Sequence, residues 1–323
     1  MRAILQHNFG GADTLYIGET PNPIPKANEI VVGVKVSALN RADISQREGK
    51  YPPPKGESEI LGLECAGVVI ESNSEKWEIG DEVFGLLPGG GYAEQVVIHE
   101  DMALRKPDYL TFDEAVAIPE AFLTAYQALV LLGDLEVNQC VLIHAGASGV
   151  GNAAIQLAKS MNAFVFTTCS TGKMDFCKQA GADVVIDYTS DSFDEVIANH
   201  EEFKSVHLVI DFIGGNYLMK NVNSLAKDGK IIQLAALGGT VSVIDIRKLM
   251  AKRGSFIAST LRSRSREYQI NLNKAFWTYA EEKFKSKELK PSIDSTWDWE
   301  DIARAHLYME VNRNQGKMVL RIN

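Results

Sequence analysis

The chain is poor in positive charge and in cysteine. Its 323 residues carry 33 Lys and Arg against 42 Asp and Glu, which gives a formal net charge of −9. Nucleic-acid binding depends on clustered positive charge, so this balance argues against nucleic acid as the main ligand. The four cysteines form no Cys-x-x-Cys pair and no spacing typical of a zinc site or disulfide framework, so we expect buried free thiols. Small-molecule chemistry is the function class that these absences favour.

Long apolar runs are also missing from the sequence. The first eight residues are charged at the second position and have no extended apolar core, which argues against a signal peptide. We see no run of about 18 apolar residues, so we expect no membrane-spanning helix and no membrane partner. Together with the free thiols, this pattern predicts a cytoplasmic protein.

The order of the apolar segments predicts two domains of α/β class. Residues 2–105 are β-rich and are interrupted by Pro- and Gly-rich loops, whereas strand-like runs alternate with helix-length segments from about residue 122. Such alternation predicts a doubly wound parallel sheet in the strand order 3-2-1-4-5-6. The runs assigned to this sheet are 140–144, 163–168, 184–187, 206–211, 230–235 and 255–260.

The C-terminal region does not continue this alternation. It contains a long helical stretch at 266–285, a second helix candidate at 299–310 and a final strand at 317–322. We expect this region to return to the first domain and leave a substrate cleft between the two domains. The predicted boundaries are 1–121 for a catalytic domain, 122–263 for a nucleotide-binding domain and 264–323 for the return.

A glycine-rich turn follows the first strand of the alternating region. Residues 140–151 read CVLIHAGASGVG, an apolar run that breaks into a turn before a helical pattern at 152–161. A helix start offers unpaired N–H groups and a positive dipole end to a pyrophosphate, so this arrangement predicts a dinucleotide cradle. An ordinary strand-to-helix turn is the alternative. The predicted cradle residues are Gly146 for the turn, Ser148 in place of a second glycine, Gly149 for close backbone approach, Val150, and Gly151 for helix packing.

The segment after the second strand predicts which cofactor is preferred. An NAD-selective site usually carries an acid about 20 residues past the glycines, and the segment 166–173 reads FTTCSTGK without one. Hydroxyl groups and Lys173 suit a 2′-phosphate, which predicts NADPH; a helix start with a solvated lysine is the alternative. The further predicted cofactor contacts are Thr168, Ser170, Tyr188, Ile213, Gly214, Thr260, Leu261 and Arg262.

Four motifs in order resemble one known family. They are 37–43 (SALNRAD), 61–69 (LGLECAGVV), 117–125 (AIPEAFLTA) and 144–151 (HAGASGVG). They resemble the zinc-free quinone oxidoreductase branch of the medium-chain dehydrogenase/reductases over essentially the whole chain. The resemblance implies a GroES-like β-rich catalytic domain, a Rossmann domain and a homodimer formed through Rossmann edge strands. The run 255–261 is either this docking edge or an edge that is covered within one subunit.

The resemblance also bears on metal and catalytic residues. Zinc relatives in this superfamily place a cysteine near position 40 and a histidine at position 63, where this chain has Asn40 and leucine, so we expect no metal site. His144 is expected to be a structural hydrogen-bonding residue. By position, Asn40 would orient the substrate carbonyl or the nicotinamide ribose, Tyr51 would hydrogen-bond the developing oxyanion or deliver a proton, and Thr124 would contact the nicotinamide. Purely structural roles for all three stay open.

These observations predict NADPH-dependent reduction of quinones, or of related electrophilic carbonyls, by direct hydride transfer without a metal. The alternatives are reduction of α,β-unsaturated ketones or enoyl thioesters, and a non-catalytic NADPH-binding module that reports redox state or binds RNA. The segment 247–266 carries seven basic residues and no acid. It is an approach for NADPH, an RNA-contact surface, or a set of solvated helix faces.

Overall fold

The computed structural model describes all residues 1–323, and these form two compact units. The first unit comprises Met1–Glu120, Arg262–Ala275 and Pro291–Asn323. The second unit comprises Ala121–Leu261 and Phe276–Lys290.

The first unit is built mainly from antiparallel strands. A two-stranded sheet pairs β1 with β2, and a seven-stranded sheet has the order β14-β15-β3-β4-β5-β7, with β6 also paired to β3. The eleven-residue strand β3 is almost entirely buried and pairs with three neighbours, so it forms the centre of this sheet. The strands are β1 Arg2–Gln6, β2 Leu15–Glu19, β3 Glu29–Leu39, β4 Glu64–Ser72, β5 Glu82–Leu86, β6 Gln95–His99, β7 Ala103–Arg105, β14 Ile293–Asp298 and β15 Lys317–Arg321.

Three short helices belong to the first unit, and two helices contribute residues to both units. The short helices are α1 Arg41–Arg47, α2 Phe112–Val116 and α10 Ile302–Glu310. The shared ones are α3 Pro119–Tyr126, which continues as a π-helical turn at Gln127–Leu132, and α9 Arg266–Lys285.

The second unit holds a six-stranded, fully parallel sheet. Its order is β10-β9-β8-β11-β12-β13, which is 3-2-1-4-5-6 when its strands are counted along the chain, so the predicted order is confirmed. The central strands β8, β9 and β11 are almost entirely buried, as parallel strands covered by helices must be. The strands are β8 Cys140–Ile143, β9 Phe164–Cys169, β10 Val184–Asp187, β11 Val206–Asp211, β12 Leu225–Gln233 and β13 Ser255–Ala258; the helices are α4 Gly149–Ser160, α5 Met174–Gln179, α6 Phe193–Ala198, α7 Tyr217–Ser224 and α8 Ile246–Ala251.

The boundaries differ from the predicted ones in the C-terminal region. The prediction assigned all of 264–323 to the first unit, whereas Phe276–Lys290 belongs to the second. The reason is an aromatic cluster, in which Phe122 lies 6.2 Å from Phe276 and 5.0 Å from Phe284 between ring centroids. Aromatic pairs at such distances stabilise packing beyond the apolar area that they bury.

The structure bears on two further predictions, the buried free thiols and the absence of a membrane-spanning helix. All four cysteines are buried free thiols, as predicted. The segment Phe112–Leu132, in contrast, is long and apolar enough to pass a length-and-hydropathy test for a membrane span, and 78% of its most apolar window is buried within the structure. Such burial is typical of a core helix in a globular protein.

Candidate functional site

The glycine-rich turn lies where β8 ends and α4 begins. Ser148 caps α4, because its Oγ accepts a hydrogen bond from the Gly151 backbone N–H at 3.0 Å. A Cβ at Gly146 would lie 2.0 Å from Oγ1 of Thr167, and one at Gly151 would lie 2.2 Å from the carbonyl oxygen of Ala145. Only glycine fits at these two positions, so backbone, strand and helix approach closely at the start of a twelve-residue helix.

His144, just before this turn, belongs to a buried hydrogen-bond network. His144 is fully buried, with Nδ1 2.9 Å from Oγ1 of Thr168 and Nε2 2.8 Å from Oδ1 of Asn221. Asn221 donates from Nδ2 to Asp211 at 2.8 Å, which leaves its Oδ1 to accept from His144 Nε2–H. Burial lowers the pKa of His144, and the neutral ring then accepts from Thr168 at Nδ1. The structural role predicted for His144 is confirmed.

Thr168 differs from its predicted role. Its side chain is 1% exposed, and its hydroxyl is bonded to His144 rather than directed at the surface. Thr168 therefore links β9 to the supporting network, and the structure does not offer its hydroxyl to a phosphate.

The same network fixes the loops after β11 and β12. Asp211 Oδ1 accepts from the backbone N–H of Ile213 at 2.6 Å and of Gly214 at 3.1 Å. Gly214 has a φ of 65° and pairs with Gly239 in a parallel bridge, while Gly238 N–H donates to the Ile213 carbonyl at 2.8 Å. The two predicted contacts Ile213 and Gly214 thus lie on a hydrogen-bonded loop at the carboxyl edge of the parallel sheet, where ligands bind in such folds.

The segment after β9 contains the residues predicted to hold a 2′-phosphate. Ser170 precedes a short helical turn, and its carbonyl accepts from the N–H of half-buried Lys173 at 2.9 Å. Sequence reasoning missed Asp187, which ends β10 and pairs across the sheet with the last residue of β9. Hydrogen bonds from Thr171 and Thr189 lower the pKa of Asp187 and hold it as a carboxylate. Because these hydrogen bonds already occupy its carboxylate, Asp187 differs from the acid that binds the ribose hydroxyl group in an NAD-selective site.

The remaining predicted cofactor residues lie in other parts of the second unit. Tyr188 follows β10 and is 50% exposed. Thr124 is buried in α3, and Gly149 and Val150 form the first turn of α4. Thr260 and Leu261 follow β13, the first exposed and the second buried. All of these except Thr124 lie at the carboxyl ends of parallel strands or in the connections that follow them.

In the first unit, Asn40 belongs to a buried ion-pair network. Lys317 donates from Nζ to Glu64 Oε1 at 2.5 Å, to Asn40 Oδ1 at 2.7 Å and to the Leu39 carbonyl at 3.1 Å. Asn40 also donates from Nδ2 to Glu64 Oε1 at 2.8 Å. The second carboxylate oxygen of Glu64 accepts from the backbone N–H of Glu120 at 2.8 Å. Both amide groups of Asn40 are therefore bonded within the protein, which supports a positioning role, while direct contact with the substrate carbonyl or the nicotinamide ribose stays a prediction.

Sequence reasoning assigned no role to Glu64 or Lys317. The available signal was a charged residue at the start of an apolar strand in each case, β4 and β15. Their side chains are 0% and 4% exposed, and unpaired charges at that depth cost several kcal/mol. Two charged residues of opposite sign, each at the start of a strand, indicate a buried pair only once both strands are known to pair with β3.

A second buried carboxylate, Asp43, lies one helical turn from Asn40. Asp43 Oδ2 accepts from the Asn40 N–H at 2.7 Å and from the Tyr92 hydroxyl at 3.2 Å, while Oδ1 accepts from the Gly62 N–H at 3.0 Å. Burial raises its pKa to about 6 despite these donors. Asp43 thus ties the start of α1 to the loop before β4.

We expect the stability of the protein to report this shift. The folded state binds the Asp43 proton between about pH 4 and 6, whereas the unfolded state releases it, so stability falls as the pH rises through that window and is level above it. Relative to Asp43→Asn, the free energy of unfolding should decrease by about 2 kcal/mol from pH 4 to 7, as urea titrations would measure. Asp175→Asn, at an exposed acid, is the control. A difference that stays constant with pH would contradict this assignment.

Tyr51 and Arg262, distant in sequence, are brought together in the first unit. The guanidinium carbon of Arg262 lies 5.5 Å from the centroid of the Tyr51 ring, within the range of a cation–π contact. Burial, followed by the charge of Glu120, raises the pKa of Tyr51, so its hydroxyl is neutral at physiological pH and keeps a proton that it can donate in a hydrogen bond. Burial lowers the pKa of Arg262, which nonetheless stays charged.

The residues around Glu64 do not suit a zinc ion. Leu63 has no donor atom, and Glu64 is already paired with Lys317. No group of three or more His, Cys, Asp or Glu side chains in residues 1–323 is arranged to hold a metal.

Two family models match the chain. The model described as "Alcohol dehydrogenase GroES-like domain" matches residues 26–108, and "Zinc-binding dehydrogenase" matches residues 149–276. Together they confirm the predicted combination of a GroES-like domain with a Rossmann-type sheet. The first region lies in the β-rich first unit, and most of the second, residues 149–261, lies in the doubly wound second unit.

Two curated human proteins are similar to almost the whole chain. Synaptic vesicle membrane protein VAT-1 homolog is 31% identical over 346 residues, covering 99% of this chain and 86% of its own length. Quinone oxidoreductase is 29% identical over 329 residues, covering 99% of this chain and 97% of its own length.

Two solved structures share the fold over the full chain. The JamJ enoyl reductase in its apo form has a TM-score of 0.89 at 25% identity, with 100% and 99% of the two chains covered. A mycobacterial protein complexed with NADPH has a TM-score of 0.87 at 27% identity, with 100% of both chains covered.

Proposed function

Since the chain belongs to the medium-chain dehydrogenase/reductase superfamily of oxidoreductases, we propose that it reduces quinones with NADPH by direct hydride transfer and without a metal ion. The observation that carries the proposal is the pairing of Tyr51 with Arg262. It gives the first unit a neutral hydroxyl donor beside a fixed positive charge, where the sequence has no zinc ligands. Electron-poor acceptors need only such a donor to stabilise the negative charge that develops on oxygen.

A nicotinamide cofactor fits the second unit. The N-terminus of α4 offers its first-turn N–H groups and its dipole to a pyrophosphate, and Gly146 and Gly151 keep the backbone close at that point. When bound, the reduced nicotinamide supplies the hydride. The choice of NADPH rests on Lys173 and Ser170, on the lack of an acid at the end of β9, and on the NADPH-bound mycobacterial neighbour.

Tyr51 has the main chemical role in this proposal. Its hydroxyl donates a hydrogen bond to the acceptor oxygen as that oxygen gains negative charge, and Arg262 lowers the energy of the charge through its position at the ring. Asn40, held by Lys317 and Glu64, keeps the start of α1 in place.

We expect Tyr51→Phe to reduce kcat/KM for quinones by about 10- to 100-fold, because it removes this donor while it keeps the ring that packs on Arg262. Steady-state NADPH oxidation at several quinone concentrations measures the change. Tyr16→Phe, at a partly exposed tyrosine of β2, is the matched control. Full turnover of the Tyr51 variant with every quinone would remove the proposed role.

Reduction of an activated C=C bond is the second candidate, and the JamJ enoyl reductase neighbour favours it. The same donors would hold the enone carbonyl while hydride reaches the β-carbon. A panel of quinones, α,β-unsaturated ketones and enoyl thioesters with C4-deuterated NADPH separates the two. A faster rate with quinones supports our proposal, whereas a faster rate with enones or thioesters, and deuterium retained on carbon, supports the second candidate.

We further propose that the protein is a homodimer formed through β13. This strand ends the parallel sheet, and Phe256 on it is 44% exposed. Phe256→Lys should convert a dimer into the 35.5 kDa monomer in sedimentation equilibrium, because it places a charge in an apolar interface, while Ile79→Lys in the first unit should not. A wild-type protein that sediments as a monomer would contradict this.

A further inference from the structure

The first unit contains a pocket of about 310 Å³, and Arg262, which the proposed function places beside Tyr51, lies in its lining. Its lining includes the basic residues Arg262, Arg264 and Arg266 and the loop at Pro88–Gly90. This volume is at the lower end of those that hold small organic ligands, and it suits a molecule of one or two rings. Its apolar wall consists of Ile60, Leu86, Val96, Ile98 and Met102.

Arg262 is the unusual member of this pocket. It is only 8% exposed, and its Nε donates to the Pro88 carbonyl at 2.7 Å. Its Nη1 and Nη2 atoms are buried and have no hydrogen-bond partner. A buried guanidinium with unsatisfied donors is destabilising, so such groups are kept where an anion completes them.

The side chains that line the pocket carry a net positive charge, which favours the binding of such an anion. Of its two acids, Glu29 lies 3.6 Å and Glu57 lies 3.3 Å from the guanidinium nitrogens of Arg266, so both are already paired. Lys26 and Arg264 add positive charge at the rim, and the pocket holds four cationic side chains against two acids in a chain of net charge −9. A local positive field in an acidic protein attracts small anions selectively.

Glycine keeps the space beside the guanidinium open. A Cβ at Gly89 would lie 3.4 Å from Nη2 of Arg262 and 2.7 Å from the Ser58 carbonyl oxygen. A larger residue at this position would therefore displace the loop or narrow the approach to the two free Nη donors.

We propose that this pocket binds the carboxylate of an apolar one- or two-ring molecule, with both oxygens on the Nη donors of Arg262. A planar guanidinium presents parallel N–H groups that match a carboxylate in bidentate geometry. Because Arg262 packs on Tyr51, the bound molecule is the acceptor itself, so the inference names a carboxylate-bearing acceptor and in that part rests on the proposed function.

The test uses direct binding to the full chain without cofactor. Isothermal titration of naphthalene-2-carboxylate, naphthalene-2-carboxamide and 2-naphthyl phosphate compares the wild type with Arg262→Met, Arg262→Lys and the exposed control Arg304→Met. We expect the carboxylate to bind about 10- to 100-fold tighter than the amide, an advantage that Arg262→Met abolishes, Arg262→Lys retains in part and Arg304→Met leaves intact. If Arg262→Met fails to fold by circular dichroism, the lysine variant decides.

Three results would each overturn the proposal. They are equal affinities for the carboxylate and the amide, tighter binding of the phosphate than of the carboxylate, and an unchanged preference for the carboxylate in Arg262→Met or, if that variant does not fold, in Arg262→Lys. A second arm compares NADPH oxidation with a propionate-bearing quinone and with its methyl ester. A higher kcat/KM for the acid supports the acceptor assignment, and an equal or lower value overturns it. Carboxylate binding without turnover of any quinone would instead defeat the proposed function and leave the binding site standing.

Discussion

Replacing Lys317 by methionine should decrease the free energy of unfolding by about 3–5 kcal/mol, because it leaves the fully buried Glu64 carboxylate without its cation. Lys317 also donates to Asn40 and to the Leu39 carbonyl, so the same change frees two further buried acceptors. Methionine has a similar length and keeps the apolar part of the contact. The loss therefore reports the charge and its hydrogen bonds rather than a cavity.

Urea unfolding followed by circular dichroism measures this loss, and two further variants make it specific. Lys285→Met, at an exposed lysine in α9, should change the free energy by less than about 0.5 kcal/mol. Adding Glu64→Gln to Lys317→Met should restore part of the stability, since it removes the unpaired charge. A loss below about 1 kcal/mol for Lys317→Met would show that the pair does not hold β15 and β4 around β3.

Replacing Lys173 by glutamate should reduce the preference for NADPH over NADH by about 10- to 100-fold. A charge about 4 Å from the 2′-phosphate contributes about 4 kcal/mol at an effective dielectric constant of 20 before solvation is counted, and a net change of about 1.4–2.7 kcal/mol corresponds to the expected 10- to 100-fold. Reversal of the charge turns attraction into repulsion for NADPH and adds a carboxylate that suits the ribose hydroxyls of NADH.

The ratio of kcat/KM for the two cofactors, with one quinone, measures this preference. Lys178→Glu, an exposed lysine on the following helix, makes the same charge change away from the loop and should leave the ratio close to wild type. Equal kcat/KM values for NADPH and NADH in the wild-type protein would refute the cofactor assignment before any variant is made.

Local pattern was sufficient to predict the second unit. Each strand of the parallel sheet is a short apolar run bounded by turn residues, and the crossover rule for such units leaves few strand orders. The capped start of α4 follows from Ser148 and the glycines around it, which are adjacent in the chain. The strand limits still shifted, since β12 begins at Leu225 and not at 230, where its pairing with β11 is irregular.

The first-unit site depends on contacts that no local pattern records. Lys317 meets Glu64 across 253 positions of sequence, and Arg262 reaches the Pro88 carbonyl across 174. Asn40 lies in a motif that points to catalysis, yet its amide oxygen and nitrogen both bond to those distant charges. The sequence shows a charged residue at the start of a strand, but the order of the strands around β3 determines which residue pairs with it.

The most direct test of the central claim is the oxidation of NADPH, followed at 340 nm, by chelator-treated protein with a quinone, using NADPH and NADPH deuterated at C4. The account predicts turnover that the chelator does not change and that is slower with the deuterated cofactor, because the C4 hydrogen is transferred directly. Activity that is lost with the chelator and restored by zinc, or the absence of NADPH oxidation with every acceptor, would contradict it.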